Sequence, residues 1–121
     1  MNTGNNMVVV KRGDIFLADL GEQNGSVQGG MRPVVVLQND IGNRFSPTTL
    51  VCPLTSQKKK NMPTHVSIPI SSGVEKESVA LCEQLRVINK NELKRKICNL
   101  TDDSIITKIN QSIIVSLGLS E

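Results

Sequence analysis

The sequence predicts an α+β protein, mainly β: a small curled sheet or barrel with one helix packed on it. Three observations carry this. Short apolar runs rich in Val, Ile and Leu recur between Val8 and Ile88, bounded by Gly, Pro, Asn or Ser. One stretch, Thr101 to Gly118, has convincing helical spacing over several turns, with Ile105, Ile106, Ile109, Ile113 and Leu117 along a stripe. The chain has 121 residues, the size of one domain. Residues 1–7 read as a disordered tail and residues 8–121 as that domain.

The elements follow in order. Val8-Val9-Val10 leads to Gly13-Asp14, and Ile15 to Ala18 reads as the first strand. Gly21, Gly25, Gly29 and Gly30 mark a loop longer than a hairpin needs, the kind of segment that serves as a functional lid. Pro33 to Gln38 is apolar on consecutive positions, the pattern of a strand buried on both faces. Asn39 to Thr48 is a connection with room for one helical turn, and Thr49 to Leu54 is a strand. Lys58 to Pro63 is a basic loop; His65 to Ile70 alternates through Val66, Ile68 and Ile70 as a half-exposed strand. Ser78–Leu81 and Gln84–Ile88 are two more strands, and Asn89 is placed to cap a helical turn from Lys90. Thr101 is placed to cap the last helix, with Asp102 and Asp103 favourable at its positive end and Gly118 as its stop.

Aromatic residues are nearly absent, only Phe16 and Phe45, so the core must be aliphatic. A single-strand binder built on stacked bases wants several rings. Any RNA recognition here must therefore lean on hydrogen bonds and charge. The net charge of +3 permits a polyanionic partner without demanding one. Cations cluster at Lys58-Lys59-Lys60 and again at Arg86, Lys90, Lys94, Arg95 and Lys96, with a solvated surface as the plain alternative. Cys52, Cys82 and Cys98 are odd in number and lack CxxC spacing, which speaks against a disulfide framework or a zinc site. Cys52 and Cys82 lie in apolar strand patterns and read as buried thiols. With no cationic leader and no 18-residue apolar stretch, a cytoplasmic protein without a membrane partner is expected.

The run Gly29-Gly30-Met31-Arg32-Pro33-Val34-Val35-Val36 carries the chemistry, together with Val51-Cys52-Pro53-Leu54-Thr55. Arg32 precedes a proline and is pushed to extended geometry. Its guanidinium is always charged and can bind a phosphate bidentately. A second strand ends on Thr55, so the pair reads as an anion-handling site at the end of a sheet. Other candidates are few. There is one histidine, His65, and no G-x-S-x-G, Walker loop, Rossmann fingerprint or metal-ligand cluster, so no metal or cofactor is expected.

At these residues the sequence resembles the MazF/PemK toxins. The resemblance rests on Lys11-Arg12-Gly13-Asp14-Ile15-Phe16, Gly30-Met31-Arg32-Pro33, Gln38-Asn39-Asp40, Phe45-Ser46-Pro47-Thr48, Pro53-Leu54-Thr55, Pro63-Thr64-His65-Val66 and Glu83-Gln84-Leu85-Arg86. It runs from about Val10 to Leu117 with the motifs in the same order, and is nearest the Bacillus-type Gram-positive form. The resemblance implies an SH3-like barrel, a homodimer, and a sequence-specific, metal-independent endoribonuclease acting on single-stranded mRNA and neutralised by a MazE-type antitoxin. It places the catalytic arginine and threonine at Arg32 and Thr55.

The chemistry can be argued beside it. RNA carries its own nucleophile, the 2′-OH, whose attack on the adjacent phosphate gives a cyclic phosphate and a 5′-OH end. Arg32 suits stabilisation of the phosphorane charge, and the Thr55 hydroxyl suits orientation of a phosphate oxygen or the nucleophile. An always-charged arginine is a poor base, so the proton acceptor stays unassigned. By position, the expected RNA contacts are Ser26, Gln28, Gln57, Thr64, His65, Ser78 and Gln84, reading single-stranded base edges, with Glu83 lining the groove and Lys58 facing phosphate. The plain alternatives are a surface salt-bridge partner for Arg32, the more usual reading of Gly-Met-Arg-Pro taken alone, an ordinary strand-end residue for Thr55, an exposed strand face for His65, Glu83 and Gln84, and a solvated loop for Lys58. Two other functions compete. A CcdB-like gyrase-inhibiting barrel leans on a terminal Trp-Gly-Ile, whereas this sequence ends Gly118-Leu119-Ser120-Glu121 without any Trp. A non-catalytic RNA-binding barrel is disfavoured by the presence of both Arg32 and Thr55.

Overall fold

A computed structural model of the chain describes residues 8–57 and 61–119. The expected tail at 1–7 and the lysine run Lys58–Lys60 lie outside the described residues. The elements are β1 (Asp14–Asp19), β2 (Met31–Val36), α1 (Asp40–Phe45), β3 (Thr48–Thr55), β4 (His65–Ile68), β5 (Ser78–Leu81), β6 (Arg86–Asn89), β7 (Leu93–Asn99) and α2 (Asp103–Ser116). The strands form an antiparallel sheet in the order β4-β5-β3-β2-β1-β7, with β6 also on β3.

β3 organises the sheet. Its first half pairs with β6, Thr48 to Asn89 through Val51 to Arg86, and its last residues, Leu54 and Thr55, pair with β5. Pro53, which has no amide to donate, lies between these two partnerships and faces Val34 of β2 on the other edge. Because β3 changes partner along one edge, the sheet has two buried faces. Ile15, Val35, Cys52, Leu54, Val66 and Ile68 form one core with Ile105 and Ile109 of α2. Phe16, Val34, Val36, Val51, Ile88 and Leu93 form the other. Val34, Val35 and Val36 are all fully buried, as their unbroken apolar run demands. The mainly-β, barrel-like architecture with a C-terminal helix is therefore present.

Four local expectations need correction. Lys90–Glu92 does form a helical turn, but it is a 3₁₀ turn that leads at once into the strand β7. β7 was not visible in the sequence because Lys94, Arg95 and Lys96 are all exposed and interrupt any apolar alternation. Such lysine-rich edges suit a terminal strand, since charge discourages edge-to-edge pairing. The strand expected from Gln84 starts later, at Arg86, because Cys82–Gln84 is a 3₁₀ turn. The last helix is capped by Asp102 rather than Thr101: its carboxylate accepts from the Ser104 amide at 2.9 Å, and Thr101 lies outside the helix. These bonds from Ser104 hold the Asp102 carboxyl below its ordinary pKa. Leu117, expected on the buried stripe, is the exposed C-cap, and the chain turns there through Gly118 at φ 69°.

Cys52 and Cys82 are fully buried. Hydrogen bonding with Cys82 and burial push the Cys52 thiol up, which keeps it an unreactive proton-bearing group.

Candidate functional site

Arg32 is the second residue of β2 and pairs with Ala18 of β1. Its side chain is anchored from both ends of the sheet edge: Nε donates to the Gly29 carbonyl at 3.0 Å and Nη1 to the Leu54 carbonyl at 3.4 Å. The head of the guanidinium thus rests beside the end of β3, one residue before Thr55. It faces a cleft of about 580 Å³ whose walls include Met31, Ser56, Lys76, Ser78 and Arg95. A guanidinium has five N–H donors. With two directions fixed by carbonyls, the remaining donors are held in a plane that can meet an oxyanion.

Thr55 is buried, paired with Val79, and its hydroxyl accepts from the Gln57 amide at 3.2 Å. That bond turns the chain just after β3 and fixes the hydroxyl's orientation. Ser56 reaches the cleft from the next position. Ser78, at the start of β5, also lines the cleft, and its hydroxyl donates to the Lys76 carbonyl at 2.8 Å.

The remaining expected contacts gather around the turn Cys82–Gln84. Glu83 Oε2 lies 3.0 Å from His65 Nε2, so a carboxylate orients the imidazole. The Cys82 amide donates to the Thr64 carbonyl at 2.9 Å. The Thr64 hydroxyl is the one buried side-chain polar atom without a hydrogen-bond partner among the described residues. Gln84 is engaged with the glycine loop: its Oε1 accepts from the Gln28 amide and its Nε2 donates to the Ser26 carbonyl, both at 2.9 Å. Gln28 itself is buried, whereas Ser26 and Gln57 are exposed. Lys58 lies outside the described residues. The fold therefore joins Arg32 to the Leu54 carbonyl and joins Ser26, Gln28 and Gln84 to one another, while the buried Thr55, between Leu54 and Ser56, does not itself line the Arg32 cleft. His65, Glu83 and Thr64 form a third group on the far side of the same turn.

Sequence reasoning missed Arg95 and Lys76 as cations of the Arg32 cleft. Their signal was present only as charge, and Arg95 was assigned to no strand. Among the described residues no group of His, Cys, Asp and Glu could hold a metal ion, and no helix is long and apolar enough to cross a membrane.

Comparison with known proteins gives a consistent answer. A family model described as PemK-like, MazF-like toxin of type II toxin–antitoxin systems matches residues 11–117. Endoribonuclease EndoA of Bacillus subtilis (strain 168) is 50% identical over 114 residues, covering 93% of this chain and 97% of its own. Endoribonuclease MazF of Staphylococcus saprophyticus is 47% identical over 113 residues, covering 92% and 93%. Among solved structures, MazF from Deinococcus radiodurans superposes with a TM-score of 0.79 at 24% identity, covering 92% of this chain and 98% of that one. A mycobacterial endoribonuclease in complex with its cognate antitoxin does so with a TM-score of 0.79 at 23% identity, covering 93% and 98%. At such identities these two structures speak for the fold.

Proposed function

The chain belongs to the PemK-like, MazF-like family of type II toxin–antitoxin toxins, and from that premise we propose that it cuts single-stranded mRNA in the cytoplasm, at a preferred sequence and without a metal ion. The observation that carries the reading is the Arg32 guanidinium, fixed on two backbone carbonyls at a cleft lined by Leu54 and Ser56, the chain neighbours of Thr55. The substrate supplies the nucleophile. Its 2′-oxygen bonds to the neighbouring phosphorus, the 2′ proton leaves to an acceptor, and the 5′-oxygen departs and is protonated. The products are a 2′,3′-cyclic phosphate and a 5′-OH. Charge accumulates on the non-bridging oxygens of the phosphorane, where a preorganised cation acts without first having to reorient. Thr55, fixed at the strand end, sets the reacting phosphate or the 2′-OH in place. Arg95 and Lys76 extend the positive lining of the cleft along the RNA backbone.

Two partners belong to this reading. One is a second copy of the chain. Ile41 and Phe45, four residues apart on α1, and Leu50 and Val87, opposite each other across β3 and β6, are large apolar side chains at the surface. The other is a MazE-type antitoxin; the Deinococcus neighbour is a MazE-MazF assembly, and the mycobacterial endoribonuclease is in complex with its cognate antitoxin. An acidic segment of such an antitoxin would compete with RNA phosphates for Arg32 and weaken with added salt.

The deciding experiment uses a long unstructured RNA, chelator present, with ends mapped after cleavage. Cyclic-phosphate and 5′-OH ends are expected. A matched RNA with a single 2′-deoxy residue on the 5′ side of the scissile bond should resist. Efficient cutting of that RNA, or loss of all activity to chelator, would overturn the mechanism. Gyrase inhibition without RNA cleavage would favour the CcdB-like alternative.

A further inference from the structure

We infer that Gln84 is a positioning residue: its carboxamide clasps the loop Gly21–Gly30 and thereby sets, through Gly29, the guanidinium of Arg32. This rests on the ribonuclease reading of the Arg32 cleft and adds to it a residue that acts through the loop rather than on the substrate.

The loop has little else to hold it. Residues 21–27 are all exposed. Its base is closed by backbone bonds, Leu20 N to the Gly30 carbonyl at 2.9 Å and Gly30 N to the Gly21 carbonyl at 2.5 Å. Its tip is tied to itself by Asn24 and Val27. Among the described residues, the hydrogen bonds that tie residues 22–28 to a distant part of the chain both come from Gln84, across 56 and 58 residues of sequence. They meet Ser26 and Gln28, on the limb that runs directly into Gly29.

The limb is in turn rigidly coupled to Arg32. A Cβ on Gly29 would overlap the Gln23 amide nitrogen and the Glu22 carbonyl carbon, so the two limbs of the loop are already in backbone contact. Movement of the Ser26–Gln28 limb must move Gly29, and the Gly29 carbonyl is the shorter of the two anchors on Arg32. Gln84 sits at the end of the turn that also presents Glu83 to His65 and binds Thr64 through Cys82. One short turn therefore holds both the glycine loop and the Thr64–His65 segment.

The chemistry needs an amide. The loop offers one donor, Gln28 N, and one acceptor, Ser26 O, and a carboxamide answers both. Glutamate at this position accepts from Gln28 but sets a negative oxygen against the Ser26 carbonyl. The clasp takes one of the two lone pairs of the oxygen and one of the two N–H groups of the nitrogen.

The test compares the unsubstituted protein with Gln84→Ala, Gln84→Glu and Gln84→Met by residue-resolved hydrogen exchange without RNA. In Gln84→Ala the Gln28 and Gly30 amides and the Arg32 Nε–H should exchange about tenfold faster, with core amides of β1 and β3 unchanged. Gln84→Glu should fall between. On RNA, kcat should drop about tenfold with the same cleavage sequence and with KM moved much less. Unchanged exchange in the loop, or a faster loop with unchanged Arg32 Nε–H and kcat, would overturn the proposal. So would altered sequence preference over a loop that stays protected. If the protein cuts no RNA at all, the ribonuclease reading fails and the exchange of the Arg32 Nε–H still decides the clasp. Gln84→Met keeps the length of the side chain should the alanine variant not fold. In the unsubstituted protein, protected Gln84 carboxamide protons are expected; rapid solvent exchange of those protons would overturn the clasp without any variant.

Discussion

Arg12 and Arg32 begin alike: each is partly buried and each donates Nε to a backbone carbonyl, Leu37 at 2.9 Å for Arg12 and Gly29 at 3.0 Å for Arg32. They end differently. The far nitrogen of Arg12 donates to Asn110 Oδ1 of α2 at 2.7 Å, and its backbone amide to Asp40 of α1 at 2.7 Å. This arginine joins the sheet to both helices and its head is committed within the fold. Arg32 spends its second bond on a longer contact, Leu54 at 3.4 Å, and turns its head toward a cleft that also holds Lys76, Arg95 and the carboxylate of Glu75. In one region the arginine holds the fold; in the other the fold holds the arginine. The difference lies in what receives the outer N–H groups, and no property of the residue itself reveals it.

The comparison predicts opposite phenotypes for the same substitution. Arg32→Ala loses one good and one long hydrogen bond, so it should lower stability by no more than about 1 kcal/mol, while lowering kcat/KM by about 10²-fold or more, the usual cost of removing one preorganised charge from a transition state. Near-native cleavage by a folded Arg32→Ala protein would remove Arg32 from the mechanism. Single-turnover cleavage beside thermal melts on the same sample checks both halves.

Gly29→Ala sharpens the contrast by leaving Arg32 in place and disturbing only its support. The new methyl would overlap the backbone of Glu22 and Gln23, which cannot give as a flexible side chain could. The loop limbs must part and the Gly29 carbonyl must shift. Cleavage should fall by about tenfold, since a small misplacement of a catalytic group is costly while its charge remains. Activity equal to the unsubstituted protein would mean that Arg32 is positioned by Leu54 alone.

Much of this was legible in the sequence. The unbroken Val34-Val35-Val36 run gave a strand buried on both faces, and the isoleucine stripe gave α2. Arg32 before Pro33 gave an extended arginine at a strand end. What escaped has a common physical origin in long sequence separation. The Gln84 clasp spans 56 residues and the Arg12–Asn110 tie spans 98, and no local pattern encodes such pairings. β7 escaped because its exposed cations hide the strand period. That Arg32 rather than Arg12 is the catalytic candidate came from the family resemblance; the geometry now supplies a physical reason for the difference.

Arg12→Ala should show the reverse of Arg32→Ala. Losing the bonds to Leu37 and Asn110 should cost about 1–2 kcal/mol of stability, as net values near 1 kcal/mol per hydrogen bond add for two partly exposed contacts. Cleavage per folded molecule should stay within about twofold. Urea melts and active-site-normalised rates measure the two effects. A folded, stable Arg12→Ala protein that has lost activity would break the assignment of Arg12 to structure.

The smallest expected effect is electrostatic and sits beside Arg12. The Asp40 carboxyl is held below its ordinary value of 3.8, chiefly by the Arg12 backbone amide, with burial the next influence and opposing it, and with Asn43 and the nearby charges of Lys11 and Arg12 adding to the lowering. Its ionised form is favoured by folding, so the contribution is fully present above the unfolded value. It is lost as pH falls through the lower folded value. Asp40→Asn keeps an acceptor for the Arg12 amide and removes the charge. At pH 7 it should lower the melting temperature by only about 1–2 °C, because the site is exposed and screened. The gap between the two proteins should close as pH is taken below 3.8, where the native carboxyl also becomes neutral. Salt should narrow the gap at pH 7 in the same direction. A gap that widens in acid would show that Asp40 is stabilised as the neutral acid, and that the region around Arg12 is not organised by charge.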